Sequence, residues 1–153
     1  MTTRDHLDMA RKVAQIRALQ LERTRAEAQR LACGLNEAQA REHEAVDNLN
    51  AHAQGLRQAL EHPGALSPDL LQNWAGAVAA ARDAQSLAAQ QTQAAAQQVE
   101  AFRPTLGQHQ RRSEVADELA DRARRRYERA CDEAHAATIE DLFLSHGSHG
   151  VRS

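Results

Sequence analysis

The stretch that decides the fold is 61-EHPGALSPDLL-71, because it separates two long helical patterns. Its residues His62, Pro63 and Gly64 form a combination that breaks a helix and favours a turn. Ser67 is typical of a helix N-cap, and Pro68 suits the first helical position, where its missing amide would have no helical partner. The chain is therefore predicted to run as a helix, a short turn and a second helix.

Upstream of this turn, a seven-residue repeat of mostly small and apolar residues continues over eight heptads, which is typical of a coiled-coil helix. Gly34 and Gly55 weaken the predicted helix by about 1 kcal/mol each without ending it. The repeat consists of Leu7, Ala14, Leu21, Ala28, Leu35, Glu42, Leu49 and Leu56, with companions at Ala10, Leu31, Ala38, Ala45 and Ala59.

The same repeat continues downstream of the turn. Pro104 interrupts it by removing one backbone hydrogen bond, so a kink or break is predicted over residues 100–107. The two rows of positions are Leu71, Val78, Gln85, Thr92, Val99, Leu106, Ser113, Ala120, Tyr127 and Ala134, and Trp74, Ala81, Ala88, Ala95, Phe102, His109, Ala116, Ala123, Ala130 and Ala137.

A short turn between two long heptad helices predicts an all-α fold, a long antiparallel two-helix coiled-coil hairpin. Folding at the turn places residue i opposite roughly residue 130 − i, so the second helix overhangs the N-terminus. The predicted domain spans residues 1–145 and is followed by a disordered tail over residues 146–153. Its parts are a first helix over about 4–61, a turn over 62–67 and a second helix over about 68–144.

Composition limits the class of protein. Alanine, glutamine, glutamate, arginine and leucine dominate, which favours long helices over a thick globular core. The N-terminus lacks the apolar core of a signal peptide, and no run is long enough to span a membrane, so we expect a soluble intracellular protein. Cys33 and Cys131 have no metal-ligand spacing, and no catalytic motif occurs. We therefore expect no enzymatic activity, no catalytic residue, no cofactor and no metal.

A basic stretch, 122-RARRRYERACDEAH-135, stands out in a chain that carries 19 basic and 21 acidic residues. Acidic neighbours at helical spacing allow this stretch to be a solvated face whose charges pair with one another. Nucleic-acid binding is disfavoured by those same acidic residues and by the scarcity of aromatic side chains. Binding of a protein partner is the other interpretation.

Bulky apolar residues follow in 135-HAATIEDLFLSHG-147, at the predicted overhang. They either fold back onto the first helix, around Leu7 and Met9, or form an exposed anchor for another protein. These residues are Ile139, Leu142, Phe143 and Leu144.

The chain resembles the central-stalk proteins of bacterial type III export machines, of the flagellar FliJ type and the injectisome YscO type. The resemblance covers length, the hairpin pattern and composition, and its most specific part is 124-RRRYERACDEAHAATIEDLF-143, which is similar to the family's basic-then-acidic C-terminal helix. Pro104 and the histidine-containing tail depart from the family's pattern. The resemblance does not distinguish a flagellar from an injectisome system.

The resemblance implies a non-enzymatic stalk whose open end sits in the pore of a hexameric export ATPase and whose turn end points to a membrane export gate. It implies a bacterial cytoplasmic protein, peripheral to the inner-membrane export apparatus, without membrane insertion or nucleic-acid binding, and a monomer or at most a weak dimer in isolation. Export chaperones are further possible partners. The ATPase-binding residues would be Arg122, Arg124, Arg125, Arg126 and Arg129, with Arg11, Lys12 and Arg17. The export-gate contacts would be Leu66, Leu70, Leu71 and Trp74.

The main alternative is a structural or adaptor coiled coil, unrelated to export, that associates with itself into a four-helix bundle. Its candidate surface is the weakly charged, alanine-rich middle of the second helix, residues 73–102. The oligomeric state of the isolated protein distinguishes the two hypotheses.

Overall fold

The computed structural model describes residues 1–62, 64 and 67–149 and consists of two long α-helices that pack against each other. Helix α1 spans Thr3–Glu61, and helix α2 spans Pro68–His149. No strand occurs among the described residues. The predicted all-α helical hairpin is confirmed.

Helix α1 begins with reciprocal hydrogen bonds between Thr2 and Asp5. The Thr2 backbone amide and hydroxyl each donate to Asp5 Oδ2 at 2.8 Å, and the Asp5 amide donates to Thr2 Oγ1 at 3.2 Å. This is the capping-box arrangement, with Asp in place of Glu, and it satisfies amides that have no partner within the helix. Because the carboxylate accepts these bonds, above all the one from the Thr2 backbone, the pKa of Asp5 lies below its usual range.

Helix α2 begins at Pro68, as predicted, and the Leu71 amide donates to the Ser67 carbonyl at 3.2 Å in its first turn. The helix continues through Pro104 without a break. Pro104 is exposed, while Phe102 and Leu106 on either side are half-buried, so their packing offsets the lost hydrogen bond.

The C-terminal end of α2 lies further along the chain than the sequence indicated. The helix reaches His149, whereas the prediction ended it at about residue 144 and began a disordered tail at residue 146. Extending an existing helix costs far less than nucleating a new one, which accounts for the extra turn. The rest of the predicted tail, residues 150–153, lies outside the described residues.

The hairpin divides into two compact units, Met1–Thr24 with Leu106–Ser153 and Arg25–Thr105. In the first unit, the side chains that α1 and α2 bury against each other include Leu7, Leu21 and Ala116, together with the polar Thr24 and Ser113. All of them recur at heptad spacing, so the predicted repeat marks the line of contact between the helices, which we call the seam.

In the second unit, the seam is built largely from small residues. Ala38 is 3% exposed and Ala88 is 8% exposed. The ring of Trp74 lies against Gly55, where an added Cβ would be 2.5 Å from Cζ3 and would also overlap Cη2. His52 meets the same ring edge-on, with ring centroids 6.4 Å apart. Gly55 therefore provides room for the tryptophan, a role that its effect on helix propensity did not reveal.

Candidate protein-binding site

The basic stretch of α2 belongs to the first unit, which also holds the N-terminus. Its five arginine side chains are all exposed, and they project around the helix instead of forming one row. These residues are Arg122, Arg124, Arg125, Arg126 and Arg129.

Two of these five arginines pair with carboxylates on their own helix. Arg122 Nη2 lies 3.6 Å from Glu118 Oε2, and Arg124 Nη2 lies 3.4 Å from Asp121 Oδ1. Both pairs are exposed, and pairs of this kind are worth only about 0–1 kcal/mol. The other three have no carboxylate within ion-pair distance among the described residues. The self-paired interpretation therefore accounts for part of the stretch, and most of its charge is available to a partner.

The basic residues predicted on α1 belong to the same unit but differ in exposure. Arg11 and Lys12 are exposed. Arg17 is half-buried, and its Nη1 donates to Gln20 Oε1 at 3.0 Å. Arg17 is thus partly engaged within α1, and Arg11 and Lys12 are the more accessible of the three.

Both helices of this unit carry exposed apolar residues outside the predicted heptad rows. Each helix carries them at spacings of three or four residues, which places them on one side of that helix. Leu119 and two of the arginines, Arg122 and Arg126, line a single groove with His6 and Ala10 of α1. We call these exposed apolar residues together the apolar face, and they are Met9, Val13, Ile16, Val115 and Leu119, which are 42% to 55% exposed.

The signal for the apolar face was present in the sequence, because Met9, Val13 and Ile16 follow a helical spacing of four and three residues. These positions lie outside the heptad rows that form the seam, so the heptad repeat does not reveal them. An apolar surface outside the seam, rimmed by polar groups, is typical of a protein-binding surface.

The C-terminal segment of α2, residues 132–147, is exposed throughout. Its apolar side chains do not fold back onto α1, since Leu7 is buried in the seam and Met9 is exposed. Phe143 is 76% exposed and Leu144 is 71% exposed. Of the two interpretations from the sequence, the structure adopts the exposed one.

The residues predicted to contact an export gate belong to the second unit and differ in accessibility. Leu70 and Leu71 are exposed. Trp74 is half-buried and packs against Gly55. Leu66 lies outside the described residues. An accessible apolar contact near the turn is therefore provided by Leu70 and Leu71 rather than by Trp74.

Tyr127 directly follows Arg126 in the sequence, and the pKa of its phenol is shifted. The pKa of Tyr127 is raised, chiefly by its hydrogen bond with Cys131, then by the charge of that thiol when it is ionised and by desolvation. Cys131 is half-buried and Cys33 is exposed, and both are free thiols. A tyrosine that stays neutral at physiological pH supplies packing and a hydroxyl to this surface.

Two further features bear on what the chain can bind. No group of three or more histidine, cysteine, aspartate or glutamate residues in the described part is placed to hold a metal ion. Neither helix, over the residues described, is long and apolar enough to cross a membrane.

Comparison with models of protein families, with curated proteins and with solved structures gave no match to this chain. The surfaces of the chain itself therefore indicate what it can bind. They combine exposed arginines, an adjoining apolar face and an uncovered amphipathic helix end, a combination suited to binding another protein.

Proposed function

We propose that this protein is a non-enzymatic central stalk of a bacterial type III export apparatus. In this role it binds in the pore of a hexameric export ATPase, promotes assembly and turnover of the ring, and connects the ring to the membrane export gate. Two observations support the proposal, the helical hairpin and the resemblance carried by residues 124–143. It places the protein in the bacterial cytoplasm, peripheral to the inner-membrane apparatus, with export chaperones as further partners.

The observation that carries the proposal is the accessibility of the five arginines in the unit that contains the N-terminus. An exposed arginine keeps its five donors available to carboxylates of a surrounding ring. Contacts of this type are individually weak and mainly guide association, so several of them can hold a stalk without any single one fixing its rotation. This explains why a chain with a net charge of −2 concentrates arginine in one stretch.

In the second unit, Leu70 and Leu71 supply exposed apolar side chains for a gate protein. Trp74 is less accessible to such a protein, because its ring is engaged with Gly55 and His52. In the proposed function, substitution of the two leucines weakens the gate contact and substitution of Trp74 disturbs the hairpin itself.

The test is the hydrolysis rate of the type III export ATPase from the same organism, measured with and without this protein. We expect the full chain to raise the rate. The variant R124A/R125A/R126A should lose most of that stimulation, because it removes three exposed positive charges from the proposed ring contact.

A matched control removes the same charge from exposed arginines of the second unit. The variant R41A/R57A/R82A should stimulate the ATPase as the unmodified chain does. Loss of stimulation in both variants would point to a general effect of net charge. Absence of stimulation by the unmodified chain, together with no co-migration with the ATPase, would refute the stalk function.

A further inference from the structure

We propose that a groove in the first unit binds a phosphoryl group carried on a small apolar molecule. The groove lies between the start of α1 and residues 119–126 of α2, and its volume is about 410 Å³. The proposal goes beyond the stalk function and does not depend on it. The residues that line the groove include His6 and Ala10 of α1 and Leu119, Arg122, Ala123 and Arg126 of α2.

Two guanidinium groups supply the positive charge of the groove. Arg122 and Arg126 are both exposed and lie one helical turn apart, which places them on the same side of α2. Like charges at this spacing repel each other, and an anion held between them offsets that repulsion. Of the residues that the structure describes, those lining the groove include no carboxylate. The groove therefore presents positive charge that no acid within its walls balances.

Arg126 is the arginine of this pair whose charge is least balanced by its own helix. The four residues that lie three and four positions away from it along the chain are two alanines and two arginines. Arg122, by contrast, has Glu118 Oε2 at 3.6 Å from its Nη2, in an exposed pair. Exposed pairs of this kind are weak and are readily exchanged for a more highly charged anion. Both guanidinium groups are thus available to an anion in the groove.

Helix α1 contributes a histidine to the groove and no free acid. His6 Nδ1 donates to the Thr2 carbonyl oxygen at 2.9 Å, which holds the ring beside the N-terminal cap and leaves Nε2 to a ligand. The carboxylate of the preceding residue, Asp5, accepts hydrogen bonds from the Thr2 amide and hydroxyl. When the His6 ring is protonated, Nε2 adds a third donor to those of the two arginines.

The number and arrangement of these donors favour a phosphoryl group over a carboxylate. A carboxylate carries one charge on two oxygens in a plane, and a single arginine satisfies it through two parallel hydrogen bonds. A phosphomonoester carries a charge of about −1.5 to −2 at pH 7 and has three strong acceptor oxygens. It can therefore meet both guanidinium groups at once, which is the arrangement that this groove provides.

The floor of the groove indicates what carries the phosphoryl group. Ala10 and Ala123 are half-buried, and Leu119 is 51% exposed. A small apolar or aromatic body attached to the phosphoryl group would remove part of the Leu119 side chain from water, which favours binding. Sites for small ligands usually have volumes of about 300–1,000 Å³, so this groove fits a ligand at the small end of that range.

The ligand would occupy two of the five arginines that the stalk function assigns to the ATPase. Ligand and ring would then compete for Arg122 and Arg126, while the other three arginines stay accessible to the ring. Because the groove is open to solvent and its attraction is electrostatic, we expect the ligand to bind weakly and more weakly still at high salt.

The experiment is a titration of the full, ¹⁵N-labelled chain with phenyl phosphate at about pH 7.5, where the phosphoryl group is mostly dianionic, and at about 0.05 M salt. Amide and arginine side-chain signals are followed by NMR. We expect saturable shifts centred on His6, Leu119 and Arg126. Absence of saturation, or shifts spread over arginines outside the groove, would overturn the proposal.

Two related probes separate the parts of the ligand. Benzoate has the same ring with a carboxylate and should bind about tenfold or more weakly than phenyl phosphate, because it carries less charge and fewer acceptor oxygens. Inorganic phosphate lacks the ring and should also bind more weakly. Benzoate binding as tightly as phenyl phosphate would overturn the phosphoryl assignment, and equal binding of inorganic phosphate would overturn the apolar carrier.

Substitutions in the groove test the residues. R126A should weaken the binding of phenyl phosphate by about tenfold or more, since it removes hydrogen bonds to a charged group. R126K keeps the charge but loses the planar fork of donors and should recover only part of the affinity. R122A/R126A should abolish the saturable shifts.

The matched control R124A/R129A removes two exposed arginines from the same helix, outside the groove, and should bind as the unmodified chain does. Circular dichroism checks that every variant keeps its helices. Equal losses in the two double variants would indicate a general effect of positive charge and would overturn the proposal. None of these measurements involves an ATPase, so their failure would leave the stalk function to its own test.

Discussion

Alanine substitution at Gly34 and Gly55 should have opposite consequences, although both glycines lie in α1, in the same unit, and directly before an apolar heptad residue. In an open helix interior, replacing glycine by alanine gains about 1 kcal/mol of stability. Nothing lies within 4 Å of a Cβ added at Gly34, so Gly34→Ala should show that gain in full.

At Gly55 the added methyl group would overlap the Trp74 ring, reaching Cζ3 at 2.5 Å and Cζ2 at 3.2 Å. Either the ring changes its position or the helices separate, and overpacking of this kind costs about 1–3 kcal/mol. Subtracting the propensity gain leaves Gly55→Ala about 0–2 kcal/mol less stable than the unmodified chain. The difference between the two variants should therefore be about 1–3 kcal/mol.

Urea unfolding followed by circular dichroism measures this difference. The fluorescence of Trp74, the one tryptophan in the chain, reports independently whether the ring has moved. In a third variant, Gly55→Ala combined with Trp74→Ala, alanine at position 55 should again be favourable relative to glycine on the same background. If Gly55→Ala stabilises the chain as much as Gly34→Ala does, the proposed packing of glycine against tryptophan is wrong.

Side chains of the first unit allow three further tests. Leu7→Ala should lower the free energy of unfolding by about 2 kcal/mol or more, because Leu7 is only 4% exposed, whereas the exposed Leu142→Ala in dilute protein should change it by less than about 0.5 kcal/mol. Equal effects of the two substitutions in urea unfolding would contradict the assigned burial. Cys131→Ala should lower the pKa of Tyr127, the one tyrosine, towards its ordinary value in a titration of phenolate absorbance, and an unchanged midpoint would exclude the hydrogen bond as its cause. The folded-state pKa of Asp5 is depressed, so the N-terminal cap should be intact above the ordinary aspartate pKa and should be lost as the pH falls through the lowered value. A carboxyl titration of Asp5 by NMR that shows an ordinary midpoint would contradict the capping contact.

The hairpin could be predicted from the sequence because heptad spacing and the helix-breaking residues between Glu61 and Pro68 report directly on backbone geometry. Leu7, Leu21 and Ala116 are buried where the repeat places them. The continuity of α2 through Pro104 could not be predicted, because it depends on packing of neighbouring residues, which propensity does not include.

The candidate site was predicted less completely. The exposure of the arginines followed from their polarity, but the apolar face depends on two stretches distant in sequence, around Val13 and Leu119, lying in one unit. The role of Gly55 likewise depends on a residue distant in sequence. Helix propensity alone ranks glycine as unfavourable at this position, and only the Trp74 ring that lies against it explains why a larger residue would not fit. Features that arise from pairing across the hairpin are visible in structure rather than in local sequence.

The binding strength of the uncovered segment 132–147 should depend on how stable its helix is, as well as on its surface chemistry. A helix of this length that packs against nothing is held by intrinsic propensity and by its continuity with the rest of α2, so its last turns should open and close far more often than the covered part. Any partner that docks there must supply the entropy of holding the segment helical. Its affinity should therefore change with helix propensity at positions that never touch the partner. Glycine in place of Ala136 or Ala137 would loosen every complex formed at this end, and it would do so with no contact removed.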